Sequence, residues 1–157
     1  MRRLRPRIEG ETQTALVFRE GRVSVRSDVL YRISEATVDE LAIGLPPEAA
    51  GVQVSGETIG THVRRGDRLH VRLREPVKGD YRCHVEFTLP VGGAESRFDY
   101  PGIRLLDARR QSGIVAVFSA SPRFEIEAQE LRNASRTAER PGFDVGEHSF
   151  LGSYSYS

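Results

Sequence analysis

The chain has 157 residues, of which 38% are hydrophobic and 29% are charged. This length suits one ordinary domain, and the composition excludes both a disordered polymer and a membrane-embedded protein. No apolar run approaches the ~18–20 residues needed to cross a bilayer. The 23 basic and 22 acidic residues nearly cancel, which argues against a dedicated binder of polyanions.

The rare residue types point to an origin rather than to an activity. Lys78 is the only lysine and Asn133 the only asparagine, while arginine is abundant, as expected for a GC-rich bacterial genome. The single cysteine, Cys83, excludes an internal disulfide and a zinc site built from cysteines alone. It leaves the cellular compartment open.

The N-terminus is basic, with four arginines among its first seven residues, but no apolar segment follows as in a signal peptide. We expect residues 1–11 to be a basic arm. A fragment start, a solvated arm and a nucleic-acid-binding arm all fit this pattern, and Glu9 and Glu11 weaken the last of them.

Period-two alternation of apolar and polar residues dominates the chain and predicts antiparallel strands that bury one face. In Arg22–Ile33 the residues predicted to point inward are Val23, Val25, Ser27, Val29, Tyr31 and Ile33. In chain order the predicted strands are Thr14–Phe18, Arg22–Ile33, Val38–Leu45, Gly51–Val54, Arg68–Leu73, Asp80–Leu89, Ile103–Leu106, Gly113–Ala120, Arg123–Glu127 and Ser149–Tyr156.

A β-hairpin is the element that the pattern indicates most clearly. Arg68–Leu73 and Asp80–Leu89 both alternate, and Pro76 and Gly79 between them are typical turn residues. The expected register pairs Leu73 with Tyr81, which would place His70 opposite His84 on the solvent face.

The last third of the chain changes character. Glu127–Arg140 contains good helix formers with little apolar face, so we expect a short helix or a loop, ended by Pro141-Gly142. The predicted division is residues 12–127 as a β-sandwich domain and 128–157 as helix or loop plus a terminal strand, continuing into a missing region. The fold class expected from short strands without a βαβ rhythm is all-β, an antiparallel β-sandwich of immunoglobulin-like or macroglobulin-like type.

No residue of the sequence is predicted to be catalytic, cofactor-binding or metal-ligating. The histidines, His62, His70, His84 and His148, form no tight metal motif, although His70 and His84 could share a zinc ion with a third ligand such as Glu86. Cys83 is predicted to be an inert core residue. Arg65-Gly66-Asp67 and Asn133-Ala134-Ser135 match short adhesion and glycosylation motifs that arise often by chance.

Surface residues bear on two binding functions, nucleic-acid binding and glycan binding. Arg22, Arg26 and Arg32 on one strand, and Arg72, Arg74 and Arg82 on another, could follow phosphates, but stacking aromatics are missing from that face. A glycan platform would need exposed aromatics, for which only Phe98 with Tyr100, or Tyr154 with Tyr156, are available. A solvated sheet face is the simpler interpretation of the arginines, and the aromatic residues give only a weak signal for a glycan site.

The segments Val52–Gly56, Gly66–Leu73 and Pro76–Phe87 together resemble a recurring β-sandwich pattern, V-x-V-x-G, G-D-x-L-x-V-x-L and P-V-x-G-x-Y-x-x-x-V-x-F. Modules of large bacterial envelope proteins are similar to it, and so is the N-terminal β domain of zinc aminopeptidases. The H-E-x-x-H helix of the peptidase catalytic domain has no counterpart in this sequence, so the resemblance implies no functional residue.

These observations predict a non-catalytic structural or protein-interaction module of a larger bacterial protein, expected in the cell envelope and outside the cytoplasm. Its partners would be other domains or another protein, rather than nucleic acid or a membrane span. The alternatives are an accessory, substrate-orienting β domain of a hydrolase or metallopeptidase, and a glycan- or nucleic-acid-binding module.

Overall fold

A computed structural model describes residues 4–91, 98–120, 134–146 and 148–157. These residues contain β-strands and loops and no helix, which confirms the all-β prediction. The strands are β1 (Arg7–Arg19), β2 (Arg22–Gly44), β3 (Ala50–Gly56), β4 (Ile59–Arg65), β5 (Arg68–Pro90), β6 (Arg104–Leu105), β7 (Arg110–Ser119), β8 (Ala134–Arg136) and β9 (Ser149–Tyr156).

All nine strands belong to one sheet, in the order β3-β5-β2-β1-β7-β9-β8, with β4 paired to β5 and β6 paired to β2. One pair departs from the expected antiparallel arrangement, because β1 and β7 run parallel from Glu9/Arg110 to Phe18/Ser119. Parallel neighbours need a long crossover connection, and here β2 to β6 supply it.

The sheet turns a corner in the middle of its two longest strands, β2 and β5. Between Ile33 and Val38, β2 advances five residues while β5 advances only two, and from Val38 to Glu40 the imbalance is reversed. Glu35 takes a positive φ of 71° at this point. Bulges of this kind bend strands so that one sheet folds over itself. The first half of the sheet contains Arg22–Ile33 of β2, and the second half contains residues 38–44 together with β4.

The predicted hairpin over Arg68–Leu89 is wrong, since these residues form the single strand β5. Pro76 and Gly79 lie at the corner, where the pairing with β2 is irregular, so the missing N–H of Pro76 costs no regular ladder bond. The turn residues mark a bend. The orientation of the side chains was predicted correctly, because both segments bury the expected odd-numbered residues: Leu69, Val71, Leu73, Tyr81, Cys83, Val85, Phe87 and Leu89.

The true hairpin in this region joins β4 to β5. Gly66 and Asp67 form its two-residue turn, and Gly66 has a φ of 62°. Arg65 therefore pairs directly with Arg68. The turn at Arg65-Gly66-Asp67 was expected from the sequence, whereas the strand β4 before it was not.

The inner faces of both halves enclose one hydrophobic core, consistent with a β-sandwich. It contains residues of β1, β2, β5, β6 and β7, and Tyr31, Ile43, Leu69 and Val23 are among its fully buried side chains. The six inward residues predicted for Arg22–Ile33 are all buried. Thr14 and Ser27 form a hydrogen bond of 2.8 Å inside this core, which satisfies the Ser27 hydroxyl on that face of the predicted strand.

A second, small cluster lies on the outer face of the first half. Ala15, Val17, Ala116 and Phe118 form it, and the half-buried Phe143, Val145 and Phe150 pack on it. Gly142 donates its N–H to the Gln13 side chain at 2.8 Å. The C-terminal segment thus covers this part of the sheet.

The ends of the chain are built into the sheet. β1 begins at Arg7, so residues 7–11 of the predicted arm are part of a strand. The predicted terminal strand is present as β9, which pairs with β7. Of the predicted helix or loop, residues 127–133 lie outside the described part, as does the predicted strand Arg123–Glu127. Residues 134–136 form β8, and 137–140 continue as loop, so the described part contains no helix.

Candidate functional site

The histidine pair considered for a shared zinc ion is not formed. His70 pairs with Ala42 of β2, whereas His84, on the same strand, pairs with Asp28. The expected register, which placed the two histidines opposite each other, is wrong because the two strands of the predicted hairpin form the single strand β5. Within the described residues, no group of three or more histidine, cysteine, aspartate or glutamate side chains is arranged to hold a metal ion.

A histidine–carboxylate pair nevertheless exists on the outer face of the first half. His84 Nδ1 lies 2.6 Å from Asp28 Oδ1, and Arg26 Nε lies 3.4 Å from the same oxygen. The Arg26 guanidinium stacks over the Phe143 ring at 4.1 Å from its centroid. A carboxylate at this distance fixes the orientation and tautomer of an imidazole. Sequence reasoning missed the pair, because its two members belong to strands that are distant in the chain.

Ser55 of β3 extends this arrangement into a Ser–His–Asp row across three strands, since it pairs with His84. Such a row is typical of nucleophilic catalysis only when the serine hydroxyl meets the imidazole within hydrogen-bond distance. No hydrogen bond joins Ser55 to His84, although the structure describes both residues. The outer sheet face therefore supplies a base and its orienting carboxylate without an engaged nucleophile.

Cys83 lies in the core, as predicted, with 1% of its surface exposed. Burial raises the pKa of its thiol from 9.0 to about 12, and the charge of Asp28 adds to the rise. A thiol with so high a pKa is almost entirely protonated at neutral pH. This environment supports a packing role for Cys83.

The Arg65-Gly66-Asp67 turn is held by the fold around it. The Asp67 carbonyl accepts a hydrogen bond of 2.7 Å from the Leu45 N–H, and its carboxylate lies 3.8 Å from Arg104. Arg64 donates to the Gly66 carbonyl at 2.9 Å. Asn133, of the possible glycosylation motif, lies outside the described residues.

The two predicted arginine stripes are partly neutralised by neighbouring acids. Arg26 pairs with Asp28 at 3.4 Å, and Arg32 with Glu11 at 3.3 Å. Arg72 pairs with Glu40 at 2.9 Å. Positive charges engaged in this way offer less to a phosphate backbone.

The aromatic residues considered for a glycan platform are used in packing and hydrogen bonds. Phe98 meets Phe18 edge to face with ring centroids 5.4 Å apart. The Tyr156 hydroxyl accepts from Gln111 Nε2 at 2.7 Å and also contacts the Thr12 hydroxyl. Tyr100 and Tyr154 pack against the main core. These side chains do not form an exposed stacking surface.

An open cleft of about 320 Å³ lies at the corner of the sheet. Charged side chains of both signs line it: Arg7, Glu9, Arg32, Glu35 and Asp80. The Arg7–Glu9 contact is 3.8 Å, and both side chains are more than a third exposed. Clefts focus an electrostatic field when one sign of charge lines them, so this mixed lining provides little focusing.

Comparisons with known proteins give a similarity of fold. A mutant of a two-domain M1 zinc metallopeptidase bound to L-tryptophan is 11% identical to the chain, with a TM-score of 0.55, over 96% of this chain and 39% of that one. An M1 zinc metallopeptidase from Deinococcus radiodurans is 12% identical, with a TM-score of 0.51, over 99% of this chain and 39% of that one.

The sequence itself is more isolated. No protein-family model matches it, and no curated protein is significantly similar to it. At 11–12% identity the structural likeness establishes the fold alone. The resemblance to the N-terminal β domain of zinc aminopeptidases is thus confirmed at the level of the fold, while the resemblance to envelope proteins stays a prediction. The chain spans about two-fifths of the length of these metallopeptidases.

Among the residues that the structure describes, no helix is long and apolar enough to cross a bilayer.

Proposed function

We propose that this chain is a non-catalytic β module whose role is to pack against another domain or protein. The observation that carries this proposal is the fold match, which covers 96% of this chain but only 39% of a two-domain metallopeptidase. In that metallopeptidase, the region with this fold is part of a larger enzyme. The likeness favours an accessory domain of a hydrolase over a free-standing structural module.

The arrangement of side chains supports the non-catalytic part of the proposal. The one histidine–carboxylate pair described above has no engaged nucleophile, and Cys83 is protonated in the core. An accessory domain contributes to catalysis by orienting substrate or by stabilising its neighbour. Neither role requires reacting groups on the domain itself.

The first test addresses catalysis directly. The purified chain is incubated with a fluorophosphonate probe and assayed on amino-acid nitroanilides with and without Zn²⁺. We expect neither labelling nor zinc-dependent turnover. Labelling of Ser55 that disappears in His84→Ala would show that the Ser–His–Asp row is catalytic and would overturn the proposal.

The second test addresses the accessory role. The reading frame and the adjacent genes are sequenced, and a metallopeptidase signature such as H-E-x-x-H selects the candidate enzyme. We expect deletion of the β module to raise KM or lower the thermal stability of that enzyme while its metal content is retained. An enzyme that is equally stable and active without the module would exclude the accessory role.

A further inference from the structure

The outer face of the second half carries a short row of residues, here called the apolar row although it includes His70, that crosses three strands and ends at Leu106, the residue after β6. Val63 of β4 pairs with His70, which pairs with Ala42 of β2, and Leu106 donates its N–H to the Ala42 carbonyl at 3.0 Å. Val63 is 53% exposed and Leu106 36%. Only four large hydrophobic side chains are this exposed in the described part of the chain, and two of them lie in this row.

A row of arginines lies beside the apolar row. Arg65 pairs with Arg68, which pairs with Gly44, and Gly44 pairs with Arg104 of β6. A Cβ atom on Gly44 would lie only 3.2 Å from Arg104 Nε, so the Arg104 side chain lies close over the strand at this glycine. The register thus places three arginines in one row across the sheet, on one side of the apolar row.

These arginines are poorly compensated. Arg104 lies 3.8 Å from Asp67, but neither Arg65 nor Arg68 has an ion pair among the described residues. Like charges placed directly opposite each other on neighbouring strands are destabilising. On the first half, by contrast, Arg26 and Arg32 each meet a carboxylate. Arg19 and Arg22 also face each other without an ion pair among the described residues, so what distinguishes Arg65 and Arg68 is the exposed apolar row beside them.

Two acidic side chains at the edges of the rows already have partners within the fold. Glu40 pairs with Arg72 at 2.9 Å, with both side chains well exposed. Asp107 accepts a hydrogen bond of 2.7 Å from the Ala42 N–H. The positive excess is therefore concentrated at Arg65 and Arg68.

We infer that this face docks a partner protein that presents an aliphatic centre to Val63 and Leu106 and carboxylates to Arg65 and Arg68. The inference rests on the proposed function and names the surface and the chemistry of the partner. Guanidinium groups bind carboxylates through paired hydrogen bonds, and desolvation by adjacent aliphatic groups strengthens such contacts. The two rows contain no Phe, Tyr or Trp side chain for stacking of bases, which favours a protein over a nucleic acid.

The size of the face sets the expected affinity. Four strands spaced about 4.7–4.9 Å apart make it roughly 15–20 Å wide, which is smaller than the ~800 Å² that each partner contributes to a standard interface. Docking through this face alone is therefore weak. Covalent linkage to the partner, as between domains of one protein, would raise the effective concentration to the millimolar range.

The test uses peptides that carry the inferred chemistry. The ¹⁵N-labelled chain is titrated with an eight-residue peptide of alternating Glu and Leu, and shifts are followed by NMR. We expect shifts at residues 42, 63–70 and 104–106, and at least a tenfold loss of affinity when Gln replaces Glu. Added salt should weaken binding, since the contacts are exposed.

Variants assign the binding to the two rows. Arg65→Glu combined with Arg68→Glu should abolish the shifts, and Val63→Ser should weaken binding several-fold. Arg82→Glu is the matched control, because Arg82 is an exposed residue of β5 that pairs with Leu30 and has no ion pair among the described residues. It should leave binding unchanged. Thermal unfolding of each variant verifies that the fold is intact.

Several outcomes would overturn the inference. The acidic peptide could leave the two rows unshifted, or bind the double arginine variant as tightly as the unaltered chain. Inorganic phosphate or a 12-base-pair DNA duplex could bind this face more tightly than the peptide, which would assign it to phosphates. Sedimentation could show dimers that dissociate in Val63→Ser, which would make a second copy the occupant.

Failure here is distinguishable from failure of the proposed function. If deletion of the module impairs the candidate enzyme but the arginine and valine variants do not, the accessory role stands and only the docking face is wrong. If the deletion has no effect, the proposed function itself falls.

Discussion

The two halves of the bent sheet treat their outer faces in opposite ways. On the first half, Phe143, Val145 and Phe150 of the C-terminal segment cover an apolar cluster, and the arginines Arg26 and Arg32 are ion-paired. On the second half, Val63 is 53% exposed and Arg65 faces Arg68. The same alternating strands therefore produce one face that the chain closes itself and one that the described residues leave open.

The two outer faces therefore differ in role: one stabilises the fold, and the other is available to a partner. A face that is buried and ion-paired contributes to folding, whereas a face with exposed aliphatic groups and opposed like charges contributes little or opposes it. Surfaces that bind partners are commonly suboptimal for the isolated fold. The following substitutions measure that contrast, from the largest expected effect to the smallest.

Truncation of Phe118 should cause the largest loss. Phe118 is buried in the covered cluster and meets Phe150 edge to face with centroids 5.5 Å apart. We expect Phe118→Ala to lower the free energy of unfolding by about 3–5 kcal/mol, measured by urea denaturation. Val63→Ala on the open face should stay within about 0.5 kcal/mol. Equal losses in the two variants would contradict the contrast between the faces.

Gly113 tests the parallel contact of β1 with β7, which supports the covered face. A Cβ atom on Gly113 would lie 2.2 Å from the Thr12 carbonyl oxygen, so alanine requires movement of the backbone. Gly113→Ala should cost about 1–3 kcal/mol, monitored by the midpoint of thermal or urea unfolding. The matched control is Gly142→Ala, whose added Cβ meets only the Gln13 side chain at 3.4 Å. A neutral Gly113→Ala would show that the two strands are not so closely packed.

Tyr31 and Tyr81 are paired on the inner face of the sheet, and their hydroxyl groups differ in hydrogen bonding. The Tyr31 hydroxyl is buried without a hydrogen-bond partner, and burial raises its pKa well above the ordinary value. The Tyr81 hydroxyl donates to the Glu57 carbonyl at 2.6 Å. We expect Tyr31→Phe to stabilise the fold and Tyr81→Phe to destabilise it, each by about 1 kcal/mol. Denaturation curves that move in the same direction for both variants would refute this assignment.

Removing the repulsion between Arg65 and Arg68 should change stability least, and it should raise stability rather than lower it. Arg65→Glu places a carboxylate opposite Arg68 and should raise the free energy of unfolding by about 0.2–1 kcal/mol at low salt. High salt should remove the gain. Arg82→Glu, which faces Leu30, is expected to change stability little. A loss of stability in Arg65→Glu would mean that the open face is already compensated.

The residue patterns predicted which side chains are buried more accurately than they predicted how strands connect. Leu73 and Tyr81 point inward in both arrangements. In the hairpin they would lie directly opposite each other, and in one continuous strand they are an even number of positions, eight, apart. Alternation therefore cannot distinguish the two arrangements. The difference depends on β2, whose residues pair with β5 on both sides of the corner.

The candidate sites were less predictable for the same reason. The burial of Cys83 followed from its position in an alternating segment. The contact of His84 with Asp28, and the row that joins Val63 to Leu106, bring together residues from strands far apart in sequence. No local pattern specifies such partners, since register is set by the whole sheet and its bulges.

The sequence by itself determined the strand character of the chain, the side chains of the core and the chemistry that is missing from its motifs. Only the tertiary structure decided that Pro76 and Gly79 bend a strand, that β7 joins β1 in parallel, and that the described residues cover one outer face and leave the other open. The physical reason is the reach of the interactions. Alternation acts between neighbours in the chain, whereas pairing, bending and coverage depend on residues that only folding brings together.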